Sequence, residues 1–301
     1  MDDEIYEKYK KAGNIAAKVR EYGAELIKPG ISFLDVAENI ENKIRENGGE
    51  PAFPVNISIN EIAAHFTPRN DSTIVFNKGD LVKLDVGVQI DGYIADTAMT
   101  IEVETNNYSE MIKASSDALE NAINMVKAEV NLSEVGKVIH KTISSYGFKP
   151  IENLTGHSLN RYELHSGISV PNVEQMIGKK RPKADDVLAI EPFATNGAGH
   201  VISGNGSNIY LCGSSMKLRL LRDINLVRLY EKMKKKFSGL PFAQRWVEHD
   251  FPDNTRQLKK LTFLGMIRHY PQLIEKYKGM VTQKEHTVIV NEDGCEVTTK
   301  L

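Results

Sequence analysis

Hydrophobic periodicity divides the chain into helical and strand-like stretches. Residues 3 to 27 read as a periodic helix that Pro29 and Gly30 stop. The run "SFLDVAENIENKIRENGG" predicts a second helix, capped through Ser32 and Asp35 and closed by Gly48 and Gly49. Strands and turns follow to about residue 104. A looser second round begins with a helix over residues 108 to 129. Another helix follows in "NLSEVGKVIHKTISSYG", capped near Asn131 or Ser133 and ended by Gly147, before more strand-like stretches. Two helices followed by strands, repeated at an offset of roughly 100 residues, predict a pseudo-symmetric α+β domain, although the halves share little sequence.

Residues 213 to 278 break that order with a charged, mostly helical stretch, after which "HTVIVNEDG" returns to a strand pattern. That last strand has to pair with something earlier, so an inserted helical subdomain is a better reading than a separate domain. Within the insertion, Lys232, Lys234, Lys235 and Lys236 form a basic run. A solvated helix face is the preferred reading, with an acidic partner such as ribosomal RNA as the alternative.

The densest information lies in "LVKLDVGVQIDGYIADTAMTI", residues 81 to 101. Asp91-Gly92 is a strong two-residue hairpin signal, with both central residues at positive φ. Pairing Ile90 with Tyr93 sets Asp96 opposite Gly87 and makes Asp85 a diagonal neighbour on the same face, roughly 7–8 Å away at the backbone. Val82, Leu84, Val86, Val88 and Ile90 then form one face, and Lys83, Asp85, Gly87 and Gln89 the other. Gly87 is expected to leave a space beside the two carboxylates. The hairpin alone fits a cation site or a water-facing polar face equally well.

Composition narrows the setting. The chain has 301 residues, ample for a sizeable core, and a net charge of −2, which creates no field for DNA or an anionic membrane. Its two cysteines, Cys212 and Cys295, make no disulfide framework and suggest buried thiols in a reducing compartment. There is no signal-peptide pattern and no run of 18 apolar residues, so the expectation is a cytoplasmic protein.

Four further stretches favour the cation. "TGH" and "LHSG" place His157 and His165 in short glycine-punctuated segments, while "VLAIEPF" and "KEHTVIV" set Glu191 and Glu285 beside apolar strands. Lone carboxylates in such places are costly without partners. Four carboxylates, Asp85, Asp96, Glu191 and Glu285, with neutral His157, would balance two divalent cations. Oxygen-rich ligation with one imidazole suits Mn, Fe, Co or Zn in a two-metal hydrolytic site. "GAGHVISGNGS" lacks a phosphate-loop or dinucleotide pattern and reads as a turn between strands. His-Glu-x-x-His and Gly-x-Ser-x-Gly are both absent.

The ordered set Asp85, Asp96, His157, Glu191 and Glu285 resembles the ligand series of the pita-bread metallopeptidases. "AFPVNISINEIAAHFTP", "KLDVGVQIDGYIADTA", "TGHSL", "AIEPFATNGAG" and "EHTVIV" resemble the type 2 methionine aminopeptidases of archaea, across essentially the whole chain. The resemblance implies one pita-bread domain over residues 1–301, interrupted by the type 2 helical insertion at 213–278. It implies removal of the initiator methionine from nascent polypeptides by a metal-bridging hydroxide. Asp85 would hold one metal and His157 and Glu191 the other, with Asp96 and Glu285 bridging. Glu191 would also pass a proton to the leaving amine. His65 and His165 would contact the scissile amide and the oxyanion, and Phe53, Leu164 and Tyr270 would line the methionine pocket. A cytoplasmic monomer acting on nascent N-termini, with the ribosome as a further contact, completes the implied picture. An X-Pro aminopeptidase or prolidase, and a metal-free binding protein of the same fold, are the alternatives. Thr155 and Lys284 depart from the family pattern, and Lys284 is expected to point away from Glu285.

Overall fold

The computed structural model describes residues 1–175, 180–213, 223–252 and 255–301. The first two helices are α1 (Asp3–Leu26) and α2 (Phe33–Glu46). Asp2 caps α1 by accepting from Ile5 N, and Ser32 Oγ caps α2 by accepting from Leu34 N and Asp35 N. Their apolar stripes, from Ile15 and Val19 to Ile40 and Ile44, close over Val82, Leu84, Val86 and Val88. The strands Leu81–Ile90 and Tyr93–Glu102 pair along their full length, from Leu81 opposite Glu102 to Ile90 opposite Tyr93. Asp91 and Gly92 turn the hairpin at φ 51° and 89°, which gives the register expected from the sequence.

The second half repeats the layering. Helices α3 (Ser109–Ile123) and α4 (Leu132–Ser145) pack over Leu188, Ile190, Val288 and Val290. The sheet beneath runs in the order 295–297, 286–290, 187–190, 155–159, 169–171, so the "HTVIV" strand finds its earlier partner in "VLAI". The helix expected to reach residue 129 ends at Ile123. Ala128 N donates instead to Asn291 O, Glu129 N donates to Pro182 O, and Glu129 turns at φ 62°. Those tertiary partners outcompete a further helical turn, and local periodicity gives no sign of them.

The halves are stitched at the strand Tyr93–Glu102. Thr287 Oγ1 donates to Asp96 O and accepts from Asp96 N, both at 2.8 Å, and Glu285 N donates to Ala98 O at 3.0 Å. The stretch "HVISG", expected as a turn, is a strand: Val201–Gly204 pairs with Gln272–Glu275. Its partner is some 70 residues away, beyond the reach of local pattern.

Inserted within the second half, before its last strands, is a smaller core, with α5 (Ile224–Phe237), α6 (Gln244–Asp250) and α7 (Thr255–Phe263) around Tyr230, Met233, Phe242, Val247 and Leu261. Residues 214–222 and 253–254 of the expected insertion lie outside the described residues. Lys232, Lys234, Lys235 and Lys236 are exposed on α5. No helix among the described residues is long and apolar enough to cross a membrane.

Candidate metal centre

One cavity is lined by Asp85, Asp96, His157, Glu191 and Glu285, by His65 and His165, and by Phe53, Leu164 and Tyr270. The hairpin supplies the two aspartates. Asp85 also pairs across the sheet with Asn56, a further lining residue. His157 comes from the strand Thr155–Leu159, and Glu191 follows the strand Val187–Ile190. These two strands approach closely because the middle residue of "TGH" is glycine. A Cβ on Gly156 would lie 2.3 Å from the Ala189 carbonyl oxygen.

The expected gap beside Gly87 is not there. A Cβ on Gly87 would lie 2.2 Å from a ring carbon of Phe53, so the glycine makes room for that ring rather than for a cation. The polar strand face is also dry: Lys83 is buried and donates to Asn60 O at 2.7 Å and Leu81 O at 3.2 Å. Burial holds its amine well below the ordinary lysine range.

Ligand atoms of Asp96, His157 and Glu285 lie within 4.8 Å of one another. His157 Nε2 is 3.7 Å from Asp96 Oδ2 and 3.5 Å from Glu191 Oε1. Burial pushes the Asp85 carboxyl up to about 7. Burial, then repulsion from Glu285 and Asp85, raises Asp96 further above the carboxylate range. Glu191 and Glu285 are raised by burial and by the neighbouring carboxylates. Burial lowers His157 to about 3, so its imidazole is neutral and free to donate a lone pair.

Four carboxylates crowded together with a neutral imidazole are unfavourable unless protons or cations neutralise them. Asp85 Oδ1 and Asp96 Oδ1 are buried without hydrogen-bond partners. The donor set and these orphaned oxygens fit divalent cations.

The histidines sit to one side. His165 stacks at a tilt on His157, with ring centroids 4.4 Å apart. His65 meets Tyr270 edge-on at 5.3 Å, and its Nδ1 lies 3.2 Å from Pro271 O. Burial depresses His65 to about 4. Its backbone is left-handed at φ 65°, a conformation that persists in a non-glycine residue when the surroundings impose it. Lys284 has Arg20, Glu21, Glu120 and Lys300 as its electrostatic neighbours, none of which lines the cavity.

Among the lining residues that sequence reasoning missed, which include Asn56 and Ile209, Gln283 is the one that contacts the two glutamates. Its Nε2 donates to Glu285 Oε2 at 3.2 Å and to Glu191 Oε2 at 3.5 Å. The available signal was its place two residues before Glu285, but an irregular stretch at 284–285 separates it from the strand His286–Val290.

The fold and site together define a hydrolase of the metallopeptidase class. The model of metallopeptidase family M24 matches residues 7–224. A methionine aminopeptidase of Methanocaldococcus jannaschii is 48% identical over 300 residues, covering 100% of both chains. Among solved structures, a methionine aminopeptidase of Thermotoga maritima superposes with a TM-score of 0.72 at 23% identity, over 100% of this chain and 98% of that one. A thermophilic Arx1 gives a TM-score of 0.86 at 19% identity, over 100% and 92%. At those identities the two structures speak for the fold alone. The chain belongs to metallopeptidase family M24, and among the relatives it matches over its full length is an archaeal methionine aminopeptidase.

Proposed function

We propose that this chain is a methionine aminopeptidase that removes the initiator methionine from nascent polypeptides. The observation that carries this is the cavity itself, where the acid-imidazole cluster adjoins an apolar wall of Phe53, Leu164 and Ile209. A methionine side chain, unbranched and polarisable, fills such a slot adaptably.

Asp85, Asp96, His157, Glu191 and Glu285 would hold two divalent ions, of Co, Mn, Fe or Zn. Such ions supply Lewis acidity and a more acidic water. Glu191 would move a proton to the departing amine, a role that suits a carboxyl raised by burial. His65 and His165 would hold the scissile amide and the developing oxyanion, and Gln283 would hold the two glutamates in place. We assign the 213–278 segment to the type 2 helical insertion, and read the protein as a cytoplasmic monomer that meets its substrates as they leave the ribosome. The exposed lysines of α5 offer a surface for that contact.

The identity to the full-length archaeal relative favours this over an X-Pro peptidase. The complete donor set favours it over a metal-free binding protein. The test compares Met-Ala-Ser with an X-Pro peptide on protein reconstituted with Mn or Co. Faster release from the X-Pro peptide would defeat the proposal.

A further inference from the structure

A buried ion pair outside the cavity joins the chain segments that line it. Glu41 of α2 and Arg245 of α6 are 2% and 4% exposed and pair through Glu41 Oε1 and Arg245 Nη2. Arg245 Nη1 also donates to Thr67 Oγ1 at 2.6 Å and to Pro68 O at 3.0 Å. Glu41 receives two further donors, Val55 N at 3.2 Å and Trp246 Nε1 at 2.8 Å. Thr67 closes the circuit: its Oγ1 donates to Val55 O at 2.8 Å, and its carbonyl accepts from Asn208 Nδ2 at 2.8 Å.

Each anchored residue is next to, or close to, a residue lining the cavity. Val55 precedes Asn56, Thr67 lies two residues after the strained His65, Asn208 precedes Ile209, and Arg245 lies four residues after Pro241. A buried ion pair is seldom worth more to stability than apolar residues of the same shape. What the guanidinium fork adds is fixed geometry in several directions.

We propose that Glu41 and Arg245 are positioning residues. Their clasp holds the 54–67 segment against residues 207–209 and 241–245, and so sets the dimensions of the methionine pocket. This rests on the methionine aminopeptidase reading.

The test replaces both partners at once, Glu41→Met with Arg245→Met, so that no charge is left buried alone. Trp246 is the chain's single tryptophan and donates to Glu41, so its emission reports directly on the clasp during thermal melts. The expected result is melting close to wild type, with KM for Met-Ala-Ser and Kd for L-methionine both raised about 10-fold and kcat changed by less than about 3-fold. Wild-type KM and Kd in a folded double variant would overturn the proposal. If that variant does not fold, Arg245→Lys keeps the charge but loses the fork. It should raise KM by more than it lowers kcat, and a fall in kcat at unchanged KM would overturn the clasp. A wild-type protein that never cleaves Met-Ala-Ser would defeat the functional reading instead.

Discussion

Replacing Gly87 by alanine adds one methyl group where the hairpin meets the candidate pocket. That Cβ would stand 2.2, 2.5 and 2.7 Å from three ring carbons of Phe53. Ordinary contact begins near 3.4 Å, so the nearest carbon must retreat from 2.2 to 3.4 Å, about 1.2 Å. The ring has little freedom to do so, being buried with Tyr9, Ala52, Ile94, Leu159 and Ala189. Overpacking of this kind costs about 1–3 kcal/mol, and each kcal/mol lowers the melting temperature by about 2–4 °C in a large domain. Because Phe53 lines the cavity, a displacement of this size should raise KM for Met-Ala-Ser about 10-fold or more. Thermal melts and steady-state kinetics read both effects. Phe53→Leu in the same chain should recover much of the lost stability by vacating the space. A Gly87→Ala variant with wild-type melting temperature and KM would refute the reasoning, because Phe53 would then not occupy that position.

Other perturbations probe separate parts of the account. Asp96→Asn should reduce activity about 100-fold or more and lower the number of ions bound in calorimetry; unchanged ion binding would remove Asp96 from the ligand set. His165→Ala should lower kcat about 10²-fold or more, as expected for loss of an oxyanion donor, and an unaltered kcat would end that assignment. Glu275 is fully buried and accepts from the backbone N–H groups of Ala198, Gly199, Tyr277 and Gly279, so Glu275→Ala should cost about 3 kcal/mol or more in chemical denaturation. A carboxyl raised in the fold, as Asp85 is to about 7, stabilises the cation-free protein below its unfolded value and loses that contribution as pH rises through the folded one. Cations displace those protons, so the melting-temperature gain on adding Mn should be small near pH 5 and grow through about pH 7; a gain independent of pH would contradict the shifts.

Where a local rule had only one physical solution, the sequence was a good guide. Asp91-Gly92 permits one tight turn, and that turn dictates every pair from Leu81 to Ile90. Ser32 and Asn131 cap helices because their side chains reach donors two residues on. The alternation of Lys83, Asp85 and Gly87 correctly put them on one face, but could not show that a second layer buries that face. Hence a water-facing face stays open as one of two readings and the space at Gly87 is expected to be empty, when Phe53, more than 30 residues away in the chain, fills it. Val201–Gly204 was missed as a strand for the same reason, since its partner comes from beyond the helical segment. Gln283 and the Glu41–Arg245 pair carry no motif; only the folded chain brings them to the glutamates and to Thr67.

The most direct measurement is release of free methionine from Met-Ala-Ser by protein stripped with chelator and then titrated with Mn or Co. The account predicts no turnover in the stripped protein and a rise that saturates as ions fill the Asp85–Glu285 cluster, with an X-Pro peptide left uncleaved. Methionine release that is unaffected by stripping, or none at any ion concentration, would contradict it.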